Sequence, residues 1–227
     1  MQNSNDDLLT LGSCLKNYVV GAEGNVSEKI EGGFLIKASG TTLNHLSYDD
    51  LVKCDFKGNQ LNNFNKKPSI ETGFHSFLLQ KPKVNFIAHT HPINTLKILC
   101  SSQLLIEEFA NKRMFPDQVV FNGEKSCVVH YAHPGEELCK NVEVSVNKFI
   151  EDNKYLPKLI LLVNHGIICV GSSTRECLIA TEMCEKSAEI FIGSKSLGQC
   201  TFISEDKVVQ VKTDTNEIYR NNLWAKK

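Results

Sequence analysis

The chain has 227 residues, of which 41 % are hydrophobic and 22 % charged, with a formal net charge of −1. That length can bury a sizeable core, and the balanced charge provides no basic field of the kind that marks nucleic-acid or membrane-surface binders. No apolar run is long enough to span a bilayer, and the opening MQNSNDDLLT has neither the basic nor the apolar region of a secretory leader, so a cytoplasmic location is expected.

The first element is a helix over DDLLTLGSCLKNYVVG, ending near Gly21. NVSEKIEGGFLIKAS then reads as a hairpin, with a polar strand, a Gly32-Gly33 turn and an apolar strand. The Asn/Lys-rich stretch KGNQLNNFNKKPS (57–69) is a loop, too short to separate two domains, so a single domain over 1–227 is expected. SIETGFHSFLLQKP has a Ser cap and reads as a helix stopped by Pro82. VNFIAHTHP is a strand and INTLKILCSS a short helix. KSCVVHYA is a strand, and GEELCKNVEVSVNKFIEDN an amphipathic helix after Pro134-Gly135. KLILLVNHGIICVG is an apolar strand region broken by NHG, and STRECLIATEMCEKSAEIFIGSKSLG a long helix with a Ser/Thr cap. Strands and helices alternate, yet several strands are joined by turns, which favours an α/β layered domain with a mixed sheet. The nine cysteines are scattered without a C-x-x-C pair, and they read as reduced, mostly buried thiols.

His89 and His91 stand two apart on a strand, so they share a face, about 7 Å apart at the backbone, and can converge on one ion. Pro92 ends the strand and leaves the pair at a sheet edge or end. Alone, this spacing fits a polar pair at a strand end as well as a metal pair. His165 adds to it, because a histidine in an apolar strand is costly to desolvate unless it has a strong partner. Three imidazoles plus an open position is the plan of a catalytic zinc site. His45 and His133 fall in loops, His130 on a strand flank and His75 on a helix four residues after Glu71, and all four read as ordinary. Lys29 and Lys37 read as solvated surface charges, either of which could attract an anion.

Five segments in order carry a resemblance: GNVS (24–27), FLIKASG (34–40), PSIET (68–72), HTHP (89–92) and LLVNHGIICVG (161–171). With them, nearly the whole chain resembles the class II aldolase/adducin family, in its fuculose/rhamnulose-phosphate aldolase-like branch, the PSIET form looking most like the aldolase half of rhamnulose-phosphate aldolase–dehydrogenase fusions. The resemblance implies a three-layer α/β/α sandwich around a mixed, mainly antiparallel sheet, and a homotetramer with sites between subunits. It implies a divalent metal, usually zinc, on His89, His91 and His165, and an acid/base role for Glu71. It implies phosphate binding by Gly24, Asn25, Ser39, Gly40 and Ser69; Ile70 stands where a second serine is often found, so phosphorylation of the substrate stays open. Glycine turns of this kind free backbone N–H groups for anions, and Ser69, as cap of the helix that carries Glu71, would turn a helix N-terminus toward the same anion.

The activity implied is cleavage and formation of a C–C bond in a ketose or ketose phosphate, with the metal stabilising an enediolate and Glu71 moving the proton. A second acid would come from a tyrosine, for which Tyr131 and Tyr219 are the candidates. Three alternatives remain: a sugar-phosphate 4-epimerase, a methylthioribulose-phosphate-type dehydratase, and a non-catalytic adducin-head-like interaction domain. The last lacks the metal histidines that this chain retains.

Overall fold

The computed structural model describes residues 4–62 and 64–225. In chain order it contains α1 (Ser4–Cys14), β1 (Asn25–Ile30), β2 (Gly33–Lys37), β3 (Leu51–Cys54), α2 (Thr72–Leu79) and β4 (Phe86–Thr90). There follow α3 (Ile93–Leu99), α4 (Gln103–Asn111), α5 (Pro116–Asn122), β5 (Cys127–Val129), α6 (Glu136–Asn153), β6 (Leu159–Leu162) and β7 (Gly166–Gly171). The last elements are α7 (Thr174–Ser196), α8 (Glu205–Thr213) and α9 (Thr215–Ala225). Among the described residues, no helix is long and apolar enough to cross a membrane.

The seven strands form one mixed sheet in the order β3-β2-β1-β4-β7-β6-β5. Every neighbouring pair is antiparallel except β5 and β6, which are parallel and connected through α6. That is the mixed, mainly antiparallel arrangement expected. Strand alternation explains the layers, because successive side chains point to opposite faces. Ile36, Ile87, Ile160, Leu162 and Ile168 pack with Phe74 and Leu78 of α2 and Val142 and Val146 of α6. Their neighbours Leu35 and Ala88 pack with Leu8 and Leu11 of α1 and with Cys177 of α7. Leu161, Ile167 and Cys169 likewise pack with Ala180 and Cys184 of α7 and Ile98 of α3. Helices therefore cover both faces, giving the α/β/α sandwich.

Several elements differ from the sequence reading. The first helix stops at Cys14 and continues as a 3-10 turn over Leu15–Tyr18. The β1–β2 turn is Glu31-Gly32, with Gly33 already paired to Ile30. The polar strand β1 is not peripheral: it lies between β2 and β4, and Asn25, Ser27 and Glu28 are buried. A central strand can be polar only where its side chains find partners, and those of Asn25 and Ser27 lead to the site. KLILLVNHGIICVG is a hairpin of β6 and β7, and His165 sits in its turn rather than in a strand, its N–H bonded to Leu162 O at 3.1 Å.

Candidate metal centre

The N-terminal end of β1, the C-terminal ends of β2 and β4 and the N-terminal end of β7 meet at one end of the sheet, since Asn25 pairs with His89 and Thr90 with Ile167. His89 and Asn25 project to the face covered by α2, the same face as Ile87. The turn after β6 brings His165 to the same place. The ring centroids of His89, His91 and His165 lie 4.8, 5.0 and 5.1 Å apart, and one nitrogen of each falls within 4.8 Å of the others.

Two of these imidazoles are oriented by the fold. His89 Nδ1–H donates to Ile167 O at 2.9 Å, which leaves the lone pair on Nε2, and that atom faces His91 Nε2 at 3.1 Å. His91 is held through its backbone N–H to Tyr18 O at 2.8 Å and by the Glu23 carboxylate 3.4 Å from Nδ1. Directly after it, Glu185 of α7 accepts from the Asn94 and Thr95 N–H groups at the start of α3, tying that segment to the helix behind it. Gly166 is required by space: a Cβ there would lie 2.5 Å from Thr90 O and 2.6 Å from His91 Cδ2. Gly24 has φ +65°, and a Cβ there would lie 2.7 Å from His89 O.

Glu71 completes the cluster. It is buried, with Oε1 3.3 Å from His165 Nε2 and Oε2 3.4 Å from His89 Nε2. Asn25 Nδ2 donates to Oε2 at 2.7 Å and to Ser69 Oγ at 3.2 Å. Ser69 is not the cap of α2. Glu71 itself occupies that position, and Ser69 Oγ accepts from the Glu71 N–H at 3.3 Å, a local turn that aims the carboxylate inward.

The donor set fits a divalent ion. Burial, above all, lowers the pKa of His89, His91 and His165 to about 4 each, so all three are neutral imidazoles with lone pairs to give at neutral pH. Among the described residues, His165 Nδ1 is buried with no hydrogen-bond partner, an unmet polar requirement. Three neutral nitrogens beside a carboxylate match what zinc and similar ions accept.

Gly24, Asn25, Ser39, Gly40, Ser69 and Ile70 line one open cavity of about 320 Å³ together with Glu71 and the three histidines. Ile70 is 66 % exposed at its rim. Lys37, expected on the surface, is instead buried in the cavity wall. Its ammonium donates to Thr41 O at 2.6 Å, Ala22 O at 3.2 Å and Ala38 O at 3.4 Å, so it joins the two glycine turns. Burial lowers its pKa, while Asp50 and Glu71 partly offset that. Lys37 sits in a strand whose every residue is buried, which the sequence by itself does not mark. His75, read as ordinary, is fully buried; Ser27 Oγ lies 2.6 Å from its Nδ1, and its Nε2 meets Asn25 Oδ1. Tyr131 and Tyr219 are exposed and do not line the cavity.

The sequence profile of the family described as Class II Aldolase and Adducin N-terminal domain matches residues 12–192. An L-fuculose phosphate aldolase of Methanococcus maripaludis is 29 % identical over 185 residues, covering 81 % of this chain and 92 % of that one. A 3-oxo-tetronate 4-phosphate decarboxylase of Haemophilus influenzae is 29 % identical over 182 residues, covering 78 % and 80 %. The crystal structure of YgbL from Klebsiella pneumoniae superposes with a TM-score of 0.78 at 23 % identity, over 92 % of this chain and 98 % of that one.

Proposed function

Because the chain belongs to the Class II Aldolase and Adducin N-terminal domain family, we propose that it is a metal-dependent aldolase that cleaves or forms a C–C bond in a ketose or ketose phosphate. The observation that carries this reading is the buried Glu71 carboxylate, 3.3 and 3.4 Å from two of three converging histidines. His89, His91 and His165 would hold a divalent ion, zinc by the nitrogen donor set. Such an ion supplies Lewis acidity that stabilises negative charge developing on a carbonyl oxygen. Glu71 then takes or returns the proton on the carbon beside that carbonyl, the step for which a carboxylate must stand over the substrate. Asn25 keeps the carboxylate in place, and the Gly24 and Gly40 turns, joined by Lys37, offer the substrate's anionic end backbone N–H groups and a nearby positive charge. Ser39 and Ser69 add hydroxyls to the same wall.

A second reading is favoured by the decarboxylase relative at the same 29 % identity. Loss of CO2 leaves the same kind of carbanion without any proton being taken from a substrate hydroxyl, whereas aldol cleavage needs a base for that hydroxyl and condensation an acid for the alkoxide it forms. No tyrosine is among the described residues that line the cavity, which in the aldolase reading supports a proton-transfer group supplied by a second copy of the chain, within a homotetramer. Sedimentation at the mass of four chains is expected. The deciding experiment loads the protein with zinc, manganese or cobalt and screens sugar 1- and 5-phosphates and oxo-acid phosphates. Dihydroxyacetone phosphate among the products supports the aldolase, and CO2 the decarboxylase. Failure to bind any of the three ions would remove both.

A further inference from the structure

The hydrogen bonds behind Glu71 can be assigned a direction from one end to the other. A buried carboxylate only accepts, so the Asn25 atom 2.7 Å from Glu71 Oε2 is the amide nitrogen, and its other hydrogen goes to Ser69 Oγ at 3.2 Å. Asn25 Oδ1 is left to accept, and it faces His75 Nε2, which must therefore carry the ring proton. His75 Nδ1 then has the lone pair, and the Ser27 hydroxyl 2.6 Å away donates to it. The series runs Ser27 to His75 to Asn25 to Glu71, and all four side chains are buried. Phe74 stacks on the His75 ring, with centroids 4.6 Å apart and planes 23° apart, and fixes its orientation.

An amide is nearly symmetric in shape, so packing alone does not choose between its two orientations. The wrong one would set Asn25 Oδ1 against Glu71 Oε2, two acceptors face to face. We propose that His75 is the positioning residue of the site: its Nε2–H locks the Asn25 amide so that Asn25 holds the Glu71 carboxylate against the histidine cluster. His75 does not line the cavity; it acts through Asn25. From its position on α2, four residues after Glu71, it bonds to Ser27 and Asn25 and so links the first turn of that helix to the start of β1.

The proposal rests on the reading of Glu71 as the base only for its kinetic arm. The first arm uses the unmutated, metal-free protein labelled with 15N, in which long-range 1H–15N correlations report the ring tautomer. His75 is expected neutral with its proton on Nε2 at neutral pH; a proton on Nδ1, or on both nitrogens, overturns the proposal. The second arm compares His75→Phe, which keeps a ring but has no donor, with His75→Gln, whose amide N–H can replace Nε2–H. The Asn25 side-chain amide signals should shift and exchange faster in the Phe variant and return in the Gln variant. Unchanged signals in His75→Phe also overturn it, and the first arm stands even where that variant does not fold. In the third arm, the zinc-loaded proteins exchange the α-proton of dihydroxyacetone phosphate with deuterated water. Here kcat should fall about ten- to a hundredfold in His75→Phe at nearly constant KM and recover in His75→Gln, the scale expected for a supporting partner. Wild-type exchange in His75→Phe counts against the proposal, whereas no exchange in the wild type, with the first two arms as expected, removes the aldolase reading and leaves the positioning role standing.

Discussion

Glu71 and Glu23 are two carboxylates at one site in different surroundings. Glu71 is buried against His89, His165 and Asn25, whereas Glu23 is exposed on the cavity wall near His91 Nδ1, with its Oε2 also accepting from the Val20 N–H at 2.9 Å. A base that moves a proton must lose its function when made an amide. Glu71→Gln is expected to cut α-proton exchange by about a hundredfold or more, the usual scale for a general acid–base group, while the metal content is kept. Wild-type exchange in that variant would take Glu71 out of the chemistry. Glu23→Gln should do the reverse. A carboxylate on the far nitrogen of a ligating histidine raises its basicity and fixes its orientation, so its loss should weaken metal binding about tenfold. Competition with a chromophoric chelator measures this, and an unchanged affinity would reduce Glu23 to a loop contact.

At the scale of elements, the β6–β7 hairpin is where the fold most constrains the site. Asn164 takes a left-handed φ of 56° in its turn, and Gly166 passes directly beneath the His91 ring. Gly166→Ala would force Thr90 O or His91 Cδ2 to move, since neither can accept a carbon at 2.5 or 2.6 Å. Overpacking of this kind costs about 1 to 3 kcal/mol. A lowered urea midpoint together with weaker metal binding is expected, because the shifted group is His91, a proposed ligand, or its neighbour Thr90. A variant with wild-type stability and affinity would show that the hairpin has more slack than its contacts suggest. In β1 the decisive contacts are again tertiary. Its polar residues read as a plain polar strand in the sequence, but Asn25 and Ser27 are buried and bond to Glu71 and to His75 of α2.

Across the whole molecule, four histidines share one electrostatic condition. Burial, first of all, lowers His89, His91 and His165 to about 4 and His75 well below its ordinary value. The unfolded chain exposes them with pKa near about 6.5. Between those values the unfolded state binds more protons than the folded one, so the stability of the metal-free protein rises with pH and is lost as pH falls below about 6.5. A urea midpoint lower at pH 5 than at pH 7.5 is the expected result, with a smaller drop in His75→Gln. Equal midpoints at the two pH values would mean that the histidines are solvated in solution.

Local periodicity makes part of this site legible in the amino-acid sequence. An H-x-H pair read on a strand shares a face because the pleat repeats every two residues, although β4 ends at Thr90 and His91 stands one residue beyond it, next to Pro92. The same rule identifies the apolar strands, and the alternation of elements points to a layered α/β fold. It cannot show that β1 is central, that Lys37 is buried, or that His75 is anything but ordinary. Those facts depend on which distant segment covers each side chain. Residues 25, 71, 75, 89 and 165 approach one another only when β1, β4 and the β6–β7 turn pair at one end of the sheet and α2 closes over them. A polar side chain in a sequence is compatible with water or with a buried partner. Only the tertiary structure supplies the partner, and with it decides whether the residue is surface, support or ligand.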